Sequence, residues 1–279
     1  MLQAAAPSRG IACYTIAFTL RSGSNLLCDY LALNGLGLPT EYFQWPLGVT
    51  NRQWYDLLGV EPDDLLGFLD ALVRERSQNQ IFGAKLTWDH KNALLEEASA
   101  LLGRPCEIHD LLPGTRWIYL EREDRISQAI SLWRATKTND WGGSSSPETP
   151  PPEYDFFGIF THLFSLLVED HMWRDYFARH RIEPLQISYE SFSADPRATL
   201  AALSAHIRPE QPLLPEQVQL TTRLRKQRDW YTDQLYEQFT DDLYHIGAMR
   251  HWEGRSDQLQ NWVAFFQQQG WKEEVRRKK

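Results

Sequence analysis

No Gly-Lys-Ser or Gly-Lys-Thr triplet occurs anywhere in the chain. Its absence disfavours a metal–ATP site of the Walker type, whose lysine reaches the outer phosphates and whose hydroxyl holds magnesium. The eight histidines include no HxH or HxxxH pair, so the spacing gives no metal site, and lone ones such as His90 and His171 read as structural or exposed. Cysteine is scarce: Cys13, Cys28 and Cys106 form no CxxC pairing. Cys13 and Cys28 fall in stretches that read as core strand and core helix, so buried free thiols and a cytoplasmic protein are expected. No run approaches the roughly 18 consecutive apolar residues of a membrane span. The opening MLQAAAPSRG lacks the basic leader and apolar core of a secretory signal. Positive charge is also in deficit. With 29 Lys and Arg against 37 Asp and Glu, the net charge of −8 argues against a general nucleic-acid binder, so an anionic ligand has to be held by a local cluster.

What is present suits one sizeable α/β domain: 279 residues, of which 42% are hydrophobic and 24% charged. The chain is organised around Ile11 to Asn34. A continuous apolar run leads into the polar loop Arg21-Ser22-Gly23-Ser24, and leucines then resume at helical spacing in Leu26, Leu27 and Leu31. That pattern predicts a strand, a tight loop and a helix. A loop entering a helix points several backbone N–H groups at one spot, where the helix dipole adds roughly half a positive charge. Gly23 permits close approach, Ser22 and Ser24 offer hydroxyls, and Arg21 brings a planar fork suited to phosphate or sulfate oxygens. The plain alternative is a polar turn in which Ser24 caps the helix.

Gly35-Leu36-Gly37 stops this helix in the manner of a glycine C-cap. The loop Pro39 to Pro46 then groups aromatics around one acid, Glu41, and Trp54 follows. A helix is expected from Asp63 to Arg76, a second strand over IFGAKLTW (81–88), a helix from Asn92 to Leu102, and a third strand at Trp117–Leu120. Strands alternating with helices predict a central, mostly parallel sheet flanked by helices. The third strand runs into a helix on which Ser127 and Ser131, four apart, share one face. There, at the mouth of the sheet, Arg122 and a helix serine can both meet a ligand; the plain alternative is a charged helix N-terminus. Residues 139–155 turn to Gly, Ser, Pro and acid and read as a mobile loop, either disordered or a lid. A long helix from Phe156 to His180, a strand at 184–188 and a proline-started helix at Asp195-Pro196 follow. Arg223 to Arg228 concentrates positive charge, and residues 231–279 read as a helical C-terminal extension of a single domain.

Taken together, these pieces resemble the Stf0-type bacterial sulfotransferases. The resemblance is carried by Arg21-Ser22-Gly23-Ser24 with Leu26-Leu27, Glu41-Tyr42-Phe43-Gln44, Gly83-Ala84-Lys85-Leu86 with Trp88, Arg122 with Asp124, and Ser127 to Ala135. Tyr189-Glu190-Ser191-Phe192 with Asp195-Pro196 looks like a segment common across the superfamily. The resemblance implies a P-loop-like sulfotransferase fold. It also implies an enzyme that moves a sulfo group from 3′-phosphoadenosine 5′-phosphosulfate to an alcohol of a carbohydrate or small metabolite, with no metal. By similarity, Arg21, Ser22, Gly23, Ser24, Asn25 and Leu26 hold the 5′-phosphosulfate, and Arg21 balances charge on the leaving phosphate. Arg122 and Ser131, or Ser127 in its place, hold the 3′-phosphate, and Arg228 in the basic run closes over it. Glu41 becomes the general base, its pKa expected to be raised by Tyr42, Phe43 and Trp45, while Lys85 is a weaker candidate for the transferring group.

On the acceptor side the resemblance implies Glu41, Gln44 and Trp54, with Trp45, Trp88 and Trp133 as further lining of a pocket. Trehalose-sulfating members carry a glutamine before the loop arginine and an acid ahead of the glutamate. Here Leu20 and Leu36-Gly37-Leu38-Pro39 stand in those places, which argues against trehalose. No nucleic acid or membrane span is expected, and a homodimer is compatible with the reading. The rival classes are a small-molecule kinase and a non-catalytic nucleotide-binding protein on the same architecture.

Overall fold

A computed structural model of the chain describes residues 10–44, 52–61, 63–141, 150–221 and 229–245. The chain divides into two compact units, residues 1–227 and 228–279.

In the first unit, four strands form one parallel sheet: β1 (Ala12–Phe18), β2 (Ile81–Leu86), β3 (Arg116–Glu121) and β4 (Leu185–Ser188), in the order β2-β1-β3-β4. Helix α1 (Ser24–Leu33) follows β1, and α2 (Arg52–Leu58) and α3 (Leu65–Glu75) precede β2. Helices α4 (Trp88–Leu102) and α5 (Ile108–Leu111) lead to β3, and α6 (Arg125–Thr138) and α7 (Phe156–His180) lead to β4. Helices α8 (Tyr189–Ala194) and α9 (Pro196–Ile207) complete the unit, and α10 (Trp230–His245) is the helix described in the second.

The sheet is apolar on both faces because both are covered, as parallel sheets require. Alternation along β1 sends Cys13 and Ala17 to one face, where they pack with Phe82, Ala84, Leu86, Trp117 and Tyr119 under α3, α4 and α7. Tyr14, Ile16 and Phe18 go to the other, with Ile81, Ile118, Leu120 and Ile187 under α1, α8 and α9. The same alternation carries Lys85, two residues from Gly83 and four from Ile81, to the α1 face. After β1 the chain turns to β2 on one side and later crosses to β3 on the other. The carboxyl ends of β1 and β3 therefore meet at the point where connections diverge, the place where open α/β sheets bind ligands.

Helix α1 ends as expected, in a Schellman motif. Gly35 (φ 71°) donates to the Ala32 carbonyl and Leu36 to that of Leu31. The largest differences from the sequence expectation fall at one junction. β2 stops at Leu86, because the Thr87 side chain accepts from the His90 N–H and caps α4, so Trp88 opens a helix instead of ending a strand. Helix α4 accordingly begins at Trp88, not Asn92. Residues 142–149 of the expected mobile loop, Trp45, the basic run Arg223 to Arg228, and residues 246–279 lie outside the described residues. Among those described, no helix is long and apolar enough to cross a membrane, and Cys13, Cys28 and Cys106 are all buried and unbridged.

Candidate active site

Thr19 to Gly23 connects β1 to α1, and its backbone is unusual at two successive turns. Arg21 adopts φ 64° and Gly23 φ 85°, both left-handed. For a residue with a Cβ, that conformation persists only where the surroundings enforce it. Gly23 is the N-cap of α1, and no side chain among the described residues caps the helix. Ser24 is therefore not the cap that a simple polar turn would need. The amides of Ser24, Asn25 and Leu26 have no intrahelical acceptor and face the loop. A Cβ on Gly23 would fall 2.4 Å from the Tyr189 ring, so glycine is required by both space and φ. Ser22 is fully buried, and its hydroxyl has no hydrogen-bond partner among the described residues.

The loop is held from behind by α6. The buried Gln128 amide donates to Thr19 Oγ1 (2.9 Å) and to the Leu20 carbonyl (2.7 Å). Arg125 orients that amide through Gln128 Oε1 (3.1 Å) and is itself tied to Asp170 of α7 (2.7 Å). Gln128 was not among the residues singled out from the sequence; its place between the two serines of α6 was the available signal.

Positive charge converges in front of the loop. Arg122 donates to the Arg21 carbonyl (3.2 Å), and its guanidinium lies 5.1 Å from the Tyr189 ring centre. Glu190 accepts from the Glu123 and Asp124 amides, so the β4–α8 junction supports the turn that carries Arg122. Arg21 donates from Nε to Ser131 Oγ (2.9 Å) and from an Nη to the Trp141 carbonyl (2.8 Å). Burial and then the charges of Arg122 and Arg134 draw the Arg21 pKa down, partly offset by Asp140. Such crowding of like charge is relieved by a bound anion. Of the two α6 serines, Ser131 meets Arg21, whereas Ser127 is buried, its amide donating to Asp124 Oδ1 and its hydroxyl without a partner among the described residues.

Lys85 joins this loop to Glu41. Its side chain is 3% exposed, and Nζ lies 2.8 Å from Glu41 Oε1 and 3.3 Å from Ser24 Oγ, with Asn25 Oδ1 also accepting from it. His90 Nδ1, buried in the first turn of α4, is 3.9 Å from Glu41 Oε2, and the Gln44 amide is 3.5 Å from the same oxygen. Burial pushes the Glu41 carboxyl up, but Lys85, His90 and Gln44 outweigh it and hold the pKa below the ordinary carboxylate value. This corrects the expectation of a raised pKa. Tyr42 and Phe43 point into the core while an ammonium sits against the carboxylate. Burial holds His90 below the usual histidine value against the pull of Glu41 and Asp89. A lone histidine that reads as merely structural thus stands beside the acid. Its position at the start of a helix was hidden by the misplaced strand end.

Trp54 packs edge-on against Tyr42 with Arg76 over its face, and it lines a 200 Å³ cleft with Cys28, Asp29, Thr40 and Arg76. Burial pushes the Cys28 thiol up to about 12, so it lines this cleft as a neutral group. Trp88 and Trp133 do not join Trp54. Trp88 packs on Trp173 and Tyr176, and Trp133 is 1% exposed within the α6–α7 layer. A larger cavity of 380 Å³, lined in part by Arg116, Trp117 and His206, opens at the start of β3, away from the loop. Among the described residues, no group of His, Cys, Asp or Glu is arranged to hold a metal ion.

The sequence profile of the Stf0 sulphotransferases matches residues 13–242. A trehalose 2-sulfotransferase of Mycobacterium tuberculosis is 28% identical over 271 residues, covering 86% of this chain and 98% of that protein. One of Mycolicibacterium smegmatis is 25% identical over 264 residues, covering 84% and 96%.

Proposed function

The chain belongs to the Stf0 sulphotransferase family, and from that premise we propose that it moves a sulfo group from 3′-phosphoadenosine 5′-phosphosulfate to a hydroxyl of a carbohydrate. The observation that carries the reading is the convergence of Arg21, Arg122 and Lys85 on a helix N-terminus that, among the described residues, has no side-chain cap, beside the buried hydroxyl of Ser22, which has no partner among them. This donor set fits a phosphosulfate. It offers amides, hydroxyls and guanidinium forks, and no lysine of the Walker type.

When bound, the donor supplies an electrophilic sulfo group, whose sulfur–oxygen bond to phosphate breaks, the electron pair leaving on the phosphate oxygen, as the acceptor oxygen bonds to sulfur. Ser22, Gly23 and the amides of Ser24, Asn25 and Leu26 hold the phosphosulfate end. Arg21 stabilises charge growing on the leaving oxygen. Arg122 and Ser131 take the 3′-phosphate, a choice supported by the contact of Ser131 Oγ with Arg21 Nε. Glu41 accepts the acceptor's hydroxyl proton, and Gln44 orients its carboxylate. Trp54 and the cleft beside it take the sugar, for which an aromatic face and flanking charged groups are suited. A carbohydrate acceptor is supported by the named activity of the two mycobacterial relatives. Leu20 and Leu38 favour a sugar other than trehalose. Three buried unpaired thiols support a cytoplasmic location.

The test is incubation of the protein with labelled donor and a panel of saccharides, trehalose included, followed by mass analysis. Products one sulfo group heavier are expected, and Glu41→Gln should retain binding of 3′,5′-bisphosphoadenosine while losing turnover. Thermal stabilisation by ATP with magnesium, and none by 3′,5′-bisphosphoadenosine without metal, would instead indicate a kinase.

A further inference from the structure

Lys85 stands where the two halves of the site meet. Its three ammonium hydrogens are directed at Glu41 on the acceptor side and at Ser24 and Asn25, the first two residues of α1, on the anion side. A buried ammonium is fixed in number and cannot fully neutralise two anions at once. With no anion before α1, its full charge falls on Glu41 at 2.8 Å. An anion at the α1 N-terminus competes for the same hydrogens within one side chain's reach. Resting on the reading of Glu41 as base, we propose that Lys85 is a counter-ion shared between Glu41 and the donor site. Occupancy of the donor site draws the ammonium away from Glu41, and Glu41 becomes a competent base only then.

The groups that face Glu41 support this assignment. From β2 comes Lys85, from α4 the His90 ring, and from its own loop the Gln44 amide; the Cys28 thiol of α1 also lies within its field. Burial keeps His90 below its ordinary pKa, and Asp89 adds negative charge on the His90 side. Near neutral pH, the full positive charge beside Glu41 among these groups is therefore that of Lys85. A carboxylate paired with a buried ammonium is a poor proton acceptor, because the pair's attraction is lost on protonation. Moving the ammonium toward the anion changes no proton count. It transfers attraction from one oxygen set to the other, and the proton leaving the acceptor hydroxyl then finds a more basic carboxylate. The device ties base strength to donor occupancy, and it also opposes growing negative charge between donor and acceptor with a group already in place.

The experiment is a carbon-13 NMR titration of labelled glutamate carboxyls, with Glu41 assigned through Glu41→Gln. It is run on the free protein and on the protein saturated with intact donor in the absence of acceptor. The Glu41 midpoint is expected to move to higher pH with donor. Lys85→Met should show the higher midpoint without donor and a smaller rise with it, the part set by the donor's own negative charge, while Lys85→Arg, which keeps the charge, should restore the low midpoint. In the assay, Lys85→Met should lose about 10²-fold in kcat, with the acid limb of kcat/KM for the donor, which reports the free enzyme, displaced to higher pH. Where the methionine variant fails to fold, Lys85→Gln takes its place; a donor-induced rise as large without the lysine as with it overturns the shared counter-ion. An active wild-type enzyme whose Glu41 midpoint ignores the donor overturns the shared counter-ion and leaves the proposed function intact. A donor-induced rise that depends on Lys85, in a protein that sulfates nothing, supports the shared counter-ion and overturns Glu41 as base.

Discussion

Arg21 is bound by three constraints at once: a left-handed backbone, a hydrogen bond to Ser131 across the loop, and the nearby like charge of Arg122. The backbone conformation and the like charge are unfavourable for the folded chain alone, the hydrogen bond holds the side chain against them, and an anion would use all three. Arg21→Ala should therefore cost roughly 10²-fold or more in kcat while leaving thermal stability nearly unchanged, since the repulsion it removes offsets the contacts it loses. Steady-state rates and a melting curve check both parts, and an unaltered rate removes Arg21 from the machinery. The residue types at this site were legible in the sequence because RSGS sits where apolar strand spacing gives way to helical spacing. The environment of Glu41 was not. Its neighbours Lys85 and His90 lie on other elements, and only their approach reverses the expected direction of its pKa.

At the scale of the element, α1 is built to leave its N-terminus open. Other helices are closed by side chains: Asp64 accepts from Gly67, Asp124 from Ser127 and Asp155 from Gly158, whereas α1 has Gly23 and no side-chain acceptor. Gly23→Ala meets the Tyr189 ring and a φ of 85° together. It should destabilise the protein by about 1–3 kcal/mol and weaken 3′,5′-bisphosphoadenosine binding in calorimetry. Asp64→Ala is the matched control. Loss of that cap should cost about 1 kcal/mol and leave nucleotide affinity as it was; equal loss of affinity in both variants would mean that the Gly23 effect is only general destabilisation. The Tyr189-Glu190 segment, which in sequence marked no more than a superfamily likeness, acquires a task here: the ring fills the space that glycine leaves and Glu190 holds the amides beside Arg122.

Over the whole molecule, the excess of acid has a consequence for stability against pH. Burial, then the charge of Asp89, push the Glu169 carboxyl on α7 up to about 7 from 4.5, and its Oε2 has no hydrogen-bond partner among the described residues. A carboxyl with a folded pKa above its unfolded value favours the folded state most fully below the unfolded pKa. That contribution is lost as pH rises through the folded one. Glu169→Gln should therefore raise unfolding free energy at pH 8 by about 1–3 kcal/mol and change it little at pH 5. Chemical denaturation at the two pH values measures it, and an equal effect at both would show that Glu169 does not titrate with folding.

The sequence alone determined the alternation of strands and helices, the glycine that stops α1, the buried thiols and the polar loop between β1 and α1, because each rests on residues adjacent in the chain or spaced by one helical turn. It also misplaced the end of β2, where a threonine that reads as strand serves as a helix cap. Tertiary structure decided which residues meet. The order β2-β1-β3-β4 brings the ends of β1 and β3 together, so Arg21 reaches Ser131 and Arg122, residues about a hundred positions away. The two-residue period of β2 turns Lys85 toward α1, where one ammonium touches both the loop and Glu41. Charge acts through space at a few ångströms, and those distances are set by packing between elements and not by order along the chain.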